Sequence, residues 1–170
     1  MIRFATPDDV HAILRMISEL ADYEKALHEV RITEEQLQTA LFGDRPALYS
    51  HVAEDEGGEV VGFTIWFLNY STWRGVHGVY LEDLYVRPGT RGQGYGKALL
   101  AELASTCVER GYQRLEWSVL NWNEPTIGFY RSLGAVPMDD WTVFRLTDGP
   151  LHALAEDALG QSPQGGRDPR

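Results

Sequence analysis

Apolar residues recur along the chain at the two spacings that distinguish helices from strands. Between residues 10 and 20 they recur every three or four positions, and Thr6-Pro7 suits the start of a helix there. A second helix is predicted to begin at a capping box at Thr33 and to end near Gly43. The sequence therefore predicts two successive helices near its start, each with one apolar face.

Strand patterns follow these two helices. Runs rich in β-branched, aromatic or alternating residues predict strands at residues 49–53, 60–68, 79–86 and 114–120. An apolar stripe between residues 99 and 108 predicts a helix before the fourth of these strands, and Pro125 and Gly134 delimit a short helix after it. A last strand and a last helix are predicted at residues 141–146 and 150–159. This order predicts an α/β fold, with a mixed central sheet and helices on both faces.

Length and composition favour one domain, which we place at residues 1–160. Residues 161–170 are rich in glycine, proline and glutamine, so a disordered tail is predicted there. No apolar stretch is long enough to span a membrane, and the N-terminus lacks a signal core. Cys107, the single cysteine, lies on an apolar helix stripe and fits a reducing compartment. We therefore expect a cytoplasmic protein with no membrane partner and with Cys107 in its core.

The formal net charge of −10 narrows the possible partners. It argues against nucleic acid, which usually binds a basic face. It favours a cationic substrate through electrostatic steering, although an acidic surface can also serve solubility alone. The five histidines show no metal-ligand spacing, and the single cysteine adds none, so the sequence predicts no bound metal.

The segment after the third predicted strand concentrates glycine and positive charge at a strand-to-helix junction. Gly92, Gly94 and Gly96 lie within five positions, between Arg91 and Lys97. The first N–H groups of a helix lack intrahelical partners and, together with the helix dipole, bind anions. Glycine removes the Cβ atom that would keep a phosphate away from the backbone. The pattern therefore predicts a diphosphate site, with a plain tight connection as the alternative.

Two commoner phosphate motifs do not fit this turn. Counted from Gly92, the dinucleotide fingerprint Gly-x-Gly-x-x-Gly would need a glycine where Lys97 stands. The nucleotide P-loop would need a glycine in place of Arg91 and a hydroxyl residue in place of Ala98. A different kind of diphosphate-binding turn is therefore indicated.

The segment RGQGYG, residues 91–96, resembles the Arg/Gln-x-x-Gly-x-Gly/Ala signature of the GNAT acetyltransferase superfamily. The later segment NEPTIGFYRSLGA resembles a second motif of that family, and the likeness extends over residues 2–147. It implies the GNAT fold, with a mostly antiparallel central sheet, and acetyl-coenzyme A as cosubstrate. The cofactor-contacting residues that it implies are Leu84, Tyr85, Val86, Arg91, Gly92, Gln93, Gly94, Tyr95, Gly96, Lys97, Asn123, Pro125, Thr126 and Tyr130.

Four segments bring the resemblance closer to the spermidine/spermine (diamine) and thialysine acetyltransferases: ELADYEKA, YLEDLYV, RGQGYGKALL and WNEPTIGFYRSLGA. This likeness implies direct transfer of acetyl to a primary amine of a small cationic substrate, such as a polyamine, a diamine or a thialysine-like amino acid. It also implies a homodimer. The alternatives are acetylation of a protein lysine or N-terminus, acetylation of an antibiotic amine, or a coenzyme A-binding module without turnover.

Acetyl transfer requires one group that removes a proton from the amine and another that protonates the departing thiolate. Glu82 resembles the acidic residue at this strand position in the polyamine enzymes, which makes it the candidate base; contact with the substrate ammonium alone is the alternative. Strict alternation would place Glu82 and Asp83 on opposite faces of their strand, so one carboxylate is expected at the acceptor. Tyr130 resembles the family's general acid, with a packed aromatic residue as the alternative.

Further acidic and aromatic residues resemble the substrate-side positions of the diamine enzymes. Carboxylates and aromatic faces are the groups that bind an alkylammonium. Solvated surface charge is the alternative for Glu24 and Asp140. The predicted substrate-binding residues are Tyr23, Glu24, Glu82, Glu116, Trp117, Ser118 and Asp140.

Overall fold

The computed structural model describes residues 1–160, which fall into two compact units: Met1–Leu120 and a second unit that begins at Asn121. The predicted tail at residues 161–170 lies outside the described residues. The assignment of residues 1–160 to one domain stays a prediction. Among the described residues, no helix is long and apolar enough to cross a membrane.

The first unit contains three helices and five strands, in close agreement with the sequence pattern. In chain order they are β1 (Ile2–Phe4), α1 (Val10–Tyr23), α2 (Glu34–Phe42), β2 (Tyr49–Glu54), β3 (Val60–Ser71), β4 (Val76–Val86), α3 (Tyr95–Glu109) and β5 (Leu115–Trp117). The predicted capping box of α2 is present, since the Thr33 hydroxyl accepts from the Gln36 backbone N–H and the Gln36 side chain accepts from the Thr33 N–H. Local capping signals therefore fix this helix start.

The five strands form one sheet in the order β1-β2-β3-β4-β5. Neighbouring strands are antiparallel except β4 and β5, which are parallel and are connected through α3. A parallel neighbour requires a long crossover connection, and α3 supplies it. The predicted mixed, mostly antiparallel sheet is thus confirmed.

Helices cover both faces of this sheet. On one face, α1 and α2 bury Ile13 and Leu37 against Phe63 and Ile65 of β3. On the other face, Leu99 of α3 packs into a cluster that includes Ala53, Val61 and Val86. Cys107 is buried on α3, as its place on the apolar stripe predicted. The two faces are called the α1 face and the α3 face below.

A buried carboxylate ties the start of α1 to the sheet. Asp9 accepts from two nitrogens of Arg3, at 2.7 and 2.9 Å, and from the Thr6 N–H at 2.7 Å. The same Arg3 guanidinium contacts the Glu54 carboxylate on β2 at 2.6 Å. The Arg3 guanidinium is the main reason that the pKa of Asp9 lies below its usual range. This ion pair therefore stabilises the fold with Asp9 ionised.

The second unit contains α4 (Glu124–Ser132) and α5 (Asp148–Gly160). The strand predicted at residues 141–146 is not formed, because no strand among the described residues pairs with it. Alternating apolar residues suit a strand, but a strand also needs a neighbour for its backbone hydrogen bonds. Large apolar side chains of this segment are exposed instead, including Trp141, Val143 and Phe144, the last at 92%.

Candidate active site

The glycine-rich turn lies between the end of β4 and the start of α3. Gly92 and Gly94 have φ values of +83° and +88°, a region that side-chain-bearing residues rarely adopt. A Cβ atom at either position would meet nothing within 4 Å, so the space over the turn is open. Gly94 is the residue before α3 and carries no side chain that could cap the helix N–H groups. The turn therefore has room for the diphosphate that the sequence predicts there.

Arg91 is held at the entrance to this turn. Its Nε donates to the Val86 carbonyl at 3.0 Å, and its guanidinium carbon lies 5.2 Å from the Tyr23 ring centroid and 5.7 Å from that of Tyr85. These contacts join the end of α1, the end of β4 and the turn. Lys97 is exposed in the first turn of α3. The sequence-predicted cofactor residues of the first unit thus occupy one continuous stretch, from Leu84 to Lys97.

The strand that leads to the turn contains a β-bulge. Leu81 is opposite Trp66 of β3, but Asp83 is opposite Ile65, so Glu82 is an extra residue in β4. Residues directly opposite each other in a ladder share a face, and neighbours along β3 alternate. Leu81 and Asp83 therefore lie on opposite faces, although they are two residues apart.

This bulge corrects the expectation that Glu82 and Asp83 point to opposite faces. Asp83 shares the α1 face with Ile65, and alternation from Leu81 places Glu82 on that same face. The spacing of apolar residues along β4 indicates this shift. The apolar residues Val79 and Leu81 are two apart and Leu84 and Val86 are two apart, but the step between the two pairs is three.

The carboxylates near the bulge lack compensating charges. Burial, and after it the charges of Glu82 and Glu24, together raise the pKa of Asp83 to about 6. Glu24, just after α1, has its own pKa raised by burial. None of the ion pairs in residues 1–160 involves these three side chains. This part of the α1 face therefore carries unpaired negative charge.

The predicted residues on β5 divide between the two faces. Glu116 is opposite Tyr80, and the hydroxyls of Ser118 and Tyr80 are 3.0 Å apart. Glu116 and Ser118 therefore lie with Tyr80 on the α1 face. Trp117 is opposite Leu81 and therefore belongs to the α3 face. Alternation makes it wrong to expect Glu116 and Trp117 on one acceptor-facing surface.

The Glu116 carboxylate already has an ion-pair partner and a hydrogen-bond donor within the protein. Its carboxylate accepts from Asn69 Nδ2 at 2.6 Å and lies 3.0 Å from Arg114 Nε. Gly78 leaves room for this arrangement, because a Cβ there would lie 2.5 Å from the Arg114 side chain. Glu116 is therefore a paired carboxylate, unlike Glu24, Glu82 and Asp83.

The remaining predicted site residues belong to the second unit. Asn123 immediately precedes α4 and is buried, and Pro125 and Thr126 lie in the first turn of that helix. Tyr130 lies in its last turns, with its ring centroid 5.5 Å from that of Phe129. Asp140 is exposed in the segment that follows α4. Within residues 1–160, no group of three or more histidine, cysteine or acidic residues could hold a metal ion.

Comparisons with known proteins match most of the chain. The model of the acetyltransferase (GNAT) family matches residues 13–135. The thialysine N-epsilon-acetyltransferase of Bos taurus is 38% identical over 165 residues, which cover 91% of this chain and 96% of that protein. The spermidine/spermine N(1)-acetyltransferase-like protein 1 of Homo sapiens is 33% identical over 91% of this chain, which corresponds to 23% of that longer protein.

The fold also matches solved structures. An integron cassette protein from V. cholerae superposes with a TM-score of 0.77, covering 92% of this chain and 97% of the other. The two chains are only 23% identical, so this likeness shows the shared fold alone.

Proposed function

Since the chain belongs to the acetyltransferase (GNAT) family, we propose that it transfers the acetyl group of acetyl-coenzyme A to a primary amine of a small cationic substrate. The enzyme class follows from the family. The identity of the acceptor is our proposal, and one observation carries it. The unpaired carboxylates of Glu24, Glu82 and Asp83 lie on the α1 face, on and beside the strand that leads into the glycine turn.

The proposed binding site for acetyl-coenzyme A follows the chain from β4 into α3. The open glycine turn, with Arg91 and Lys97 beside it, would hold the diphosphate. The bulged strand leaves backbone groups of Leu84, Tyr85 and Val86 as candidates for the pantetheine arm. On the second unit we assign Asn123, Pro125 and Thr126 to the same arm, because they match the family motif.

The proposed acceptor is cationic because these carboxylates have no ion-pair partner within residues 1–160. A buried or half-buried carboxylate without a positive neighbour is costly, and an alkylammonium supplies that charge when it binds. The Tyr23 and Tyr80 rings add aromatic surface near this region. The relatives named above act on thialysine and, by name, on spermidine or spermine, which supports a small amine here.

The proposed chemistry needs two proton transfers. An ammonium with a pKa near 10.4 must lose a proton, which costs roughly 4–5 kcal/mol at neutral pH. A carboxylate on the α1 face of β4 takes this proton, and Glu82 is the residue that the family resemblance selects. Tyr130 is proposed as the acid that protonates the thiolate, because a phenol donates to a thiolate without being ionised at rest.

We also propose a cytoplasmic homodimer. The exposed apolar segment from Val136 to Leu146 supports the dimer, because monomeric proteins rarely expose so many adjacent apolar side chains. Light scattering should give twice the chain mass, and Phe144→Ser should lower it toward the monomer mass. A monomer at every concentration would contradict the dimer. The single, buried cysteine supports the proposed cytoplasmic location, because disulfides are rare in that reducing compartment.

Release of coenzyme A in the presence of an amine panel tests the proposed function. The panel contains spermidine, putrescine, thialysine, lysine, an aminoglycoside and a histone-tail peptide. We expect rapid turnover with at least one of the small aliphatic amines. Turnover only with the peptide or the aminoglycoside would overturn the acceptor assignment, and tight coenzyme A binding without turnover would overturn the enzymatic role.

A further inference from the structure

Resting on the proposed function, we infer that Asp83 is the group that takes the proton from the acceptor amine, while Glu82 beside it holds the ammonium. Strict alternation along β4 would place Asp83 on the face opposite Glu82 and therefore gives it no role at the acceptor. The bulge in β4 removes that objection by placing both carboxylates on the α1 face. The two residues therefore form one adjacent pair at the acceptor.

The two carboxylates differ in exposure, and this difference separates their roles. Glu82 is exposed, so it can meet an incoming cation while both are still hydrated. Asp83 is half-buried, opposite the buried side chain of Ile65. A proton acceptor works best where water is scarce and where its pKa is not far below the working pH. Among the two, Asp83 meets both conditions, since burial is the main cause that raises its pKa to about 6.

The charged and titratable groups around Asp83 do not cancel this effect. Glu24 approaches from the end of α1 and Glu82 from β4, and both oppose ionisation of Asp83. Other titratable groups on this face already have partners. Glu19 of α1 contacts Arg87, and Tyr85 of β4 has the Arg91 guanidinium over its ring. The Tyr80 hydroxyl lies 3.0 Å from that of Ser118, and Glu116 of β5 contacts Arg114. The residue opposite on β3, Ile65, is apolar. Asp83 is therefore surrounded by uncompensated negative charge.

The inferred step balances in atoms and protons. The acceptor R–NH3⁺ gives one proton to the Asp83 carboxylate and becomes R–NH2. Its nitrogen then forms the C–N bond with the thioester carbonyl carbon, and the C–S bond breaks. Of the two protons that remain on the nitrogen, one stays in the amide. The nitrogen loses the other, and the departing thiolate gains one proton, so these two changes cancel. Asp83 returns its proton to solvent, so one proton is released per acetyl group transferred.

Kinetics as a function of pH test this assignment. The amine with the fastest wild-type turnover is used with wild type, Asp83→Asn, Glu82→Gln and Asp44→Asn. Asp44 is an exposed carboxylate in the loop between α2 and β2, so Asp44→Asn controls for the loss of one negative charge. In wild type and Asp44→Asn, kcat/KM should rise with pH along an acidic limb whose midpoint lies near pH 6.

Asp83→Asn should lower kcat about 100-fold or more and remove the acidic limb, with little change in the KM for the amine. Glu82→Gln should mainly raise the amine KM and shift the limb to lower pH, because it removes a negative neighbour. The affinity for coenzyme A should be unchanged in both variants, which shows that they are folded.

The opposite results would overturn the inference. A kcat of Asp83→Asn within about threefold of wild type, with the acidic limb retained, would exclude Asp83 as the proton acceptor. Loss of the limb in Glu82→Gln alone would assign that role to Glu82. If wild type itself turns over no amine of the panel, the proposed function fails first, and this outcome is distinct from either variant result.

Discussion

Asp9 and Asp83 are two shielded aspartates of the same unit with opposite electrostatic surroundings. Asp9 accepts hydrogen bonds from Arg3 and Thr6, and its pKa is lowered, chiefly by the Arg3 guanidinium. Asp83 has no ion-pair partner within residues 1–160, and burial with two acidic neighbours raises its pKa to about 6. Asp9 therefore has a charge partner within the fold, and Asp83 has none among the described residues.

The difference separates structural carboxylates from functional ones. A buried ion pair satisfied within the chain favours one conformation of its elements. A shielded carboxylate left without a cation costs stability, and such sites cluster where proteins bind ligands or perform acid–base chemistry. Glu116 resembles Asp9 in having an arginine partner, whereas the exposed Glu24 and Glu82 share with Asp83 only the lack of an ion-pair partner among the described residues.

The largest expected effect lies on the structural side of this comparison. Asp9→Asn should lower the free energy of unfolding by about 3 kcal/mol at neutral pH, because it removes the carboxylate that accepts two hydrogen bonds from Arg3. Urea unfolding measures this loss. Asp8→Asn, at the exposed neighbouring position, is the matched control and should stay within about 0.5 kcal/mol of wild type.

The pH dependence checks the sign of the Asp9 effect. The pKa of Asp9 is lowered in the folded state, so its stabilisation is present above the unfolded pKa of about 4 and is lost as pH falls below it. The difference in the free energy of unfolding between wild type and Asp9→Asn should therefore become smaller in acid. A gap that widens in acid would show that Asp9 is not held ionised by Arg3.

A smaller effect of opposite sign is expected for Asp83. Asp83→Asn should raise the free energy of unfolding by roughly 2 kcal/mol at about pH 8, because wild type pays to ionise a shielded carboxylate. The folded pKa is raised, so this cost appears as pH rises through about 4 to 6 and is absent below that range. Urea unfolding at several pH values measures it.

Loss of stability in Asp83→Asn at alkaline pH would contradict the account. It would show that the ionised Asp83 carboxylate makes a favourable contact within the protein. Asp44→Asn serves again as the exposed control and should stay within about 0.5 kcal/mol of wild type.

The smallest effect separates paired from unpaired acidic residues on the α1 face. Glu116→Gln should change the amine KM less than about twofold, because Arg114 and Asn69 already occupy its carboxylate. Glu24→Gln should raise that KM about fivefold, since its carboxylate is free to face a cation. Steady-state kinetics on the same amine measure both. Equal effects of the two variants would remove the distinction that we draw between them.

Most of the fold could be predicted from the sequence because its signals are local. Capping residues, apolar periodicity and glycine punctuation predict α1, α2 and α3 and locate β2, β3, β4 and β5 along the chain. The strand predicted at residues 141–146 failed, because a strand also depends on a distant pairing partner that a local pattern does not report.

The glycine turn could be located from the sequence more readily than the faces on which the acidic residues lie. The glycine turn is encoded in consecutive residues, so RGQGYG alone located it. The place of Asp83 on the same face as Glu82 depends on a single extra residue in β4, which strict alternation does not report. The pairing of Glu116 depends on Arg114 and on Asn69, which is 47 positions away in the chain. Contacts of that range cannot be read from strand periodicity.

The most direct test is an NMR titration of the aspartate carboxyl carbons, with and without a saturating small amine. We expect Asp83 to titrate near pH 6 in the free protein and Asp9 below its usual range. The amine should move the Asp83 midpoint to lower pH, because a bound cation favours the carboxylate, and leave Asp9 unchanged. An Asp83 midpoint near 4 that does not respond to any amine would contradict the account.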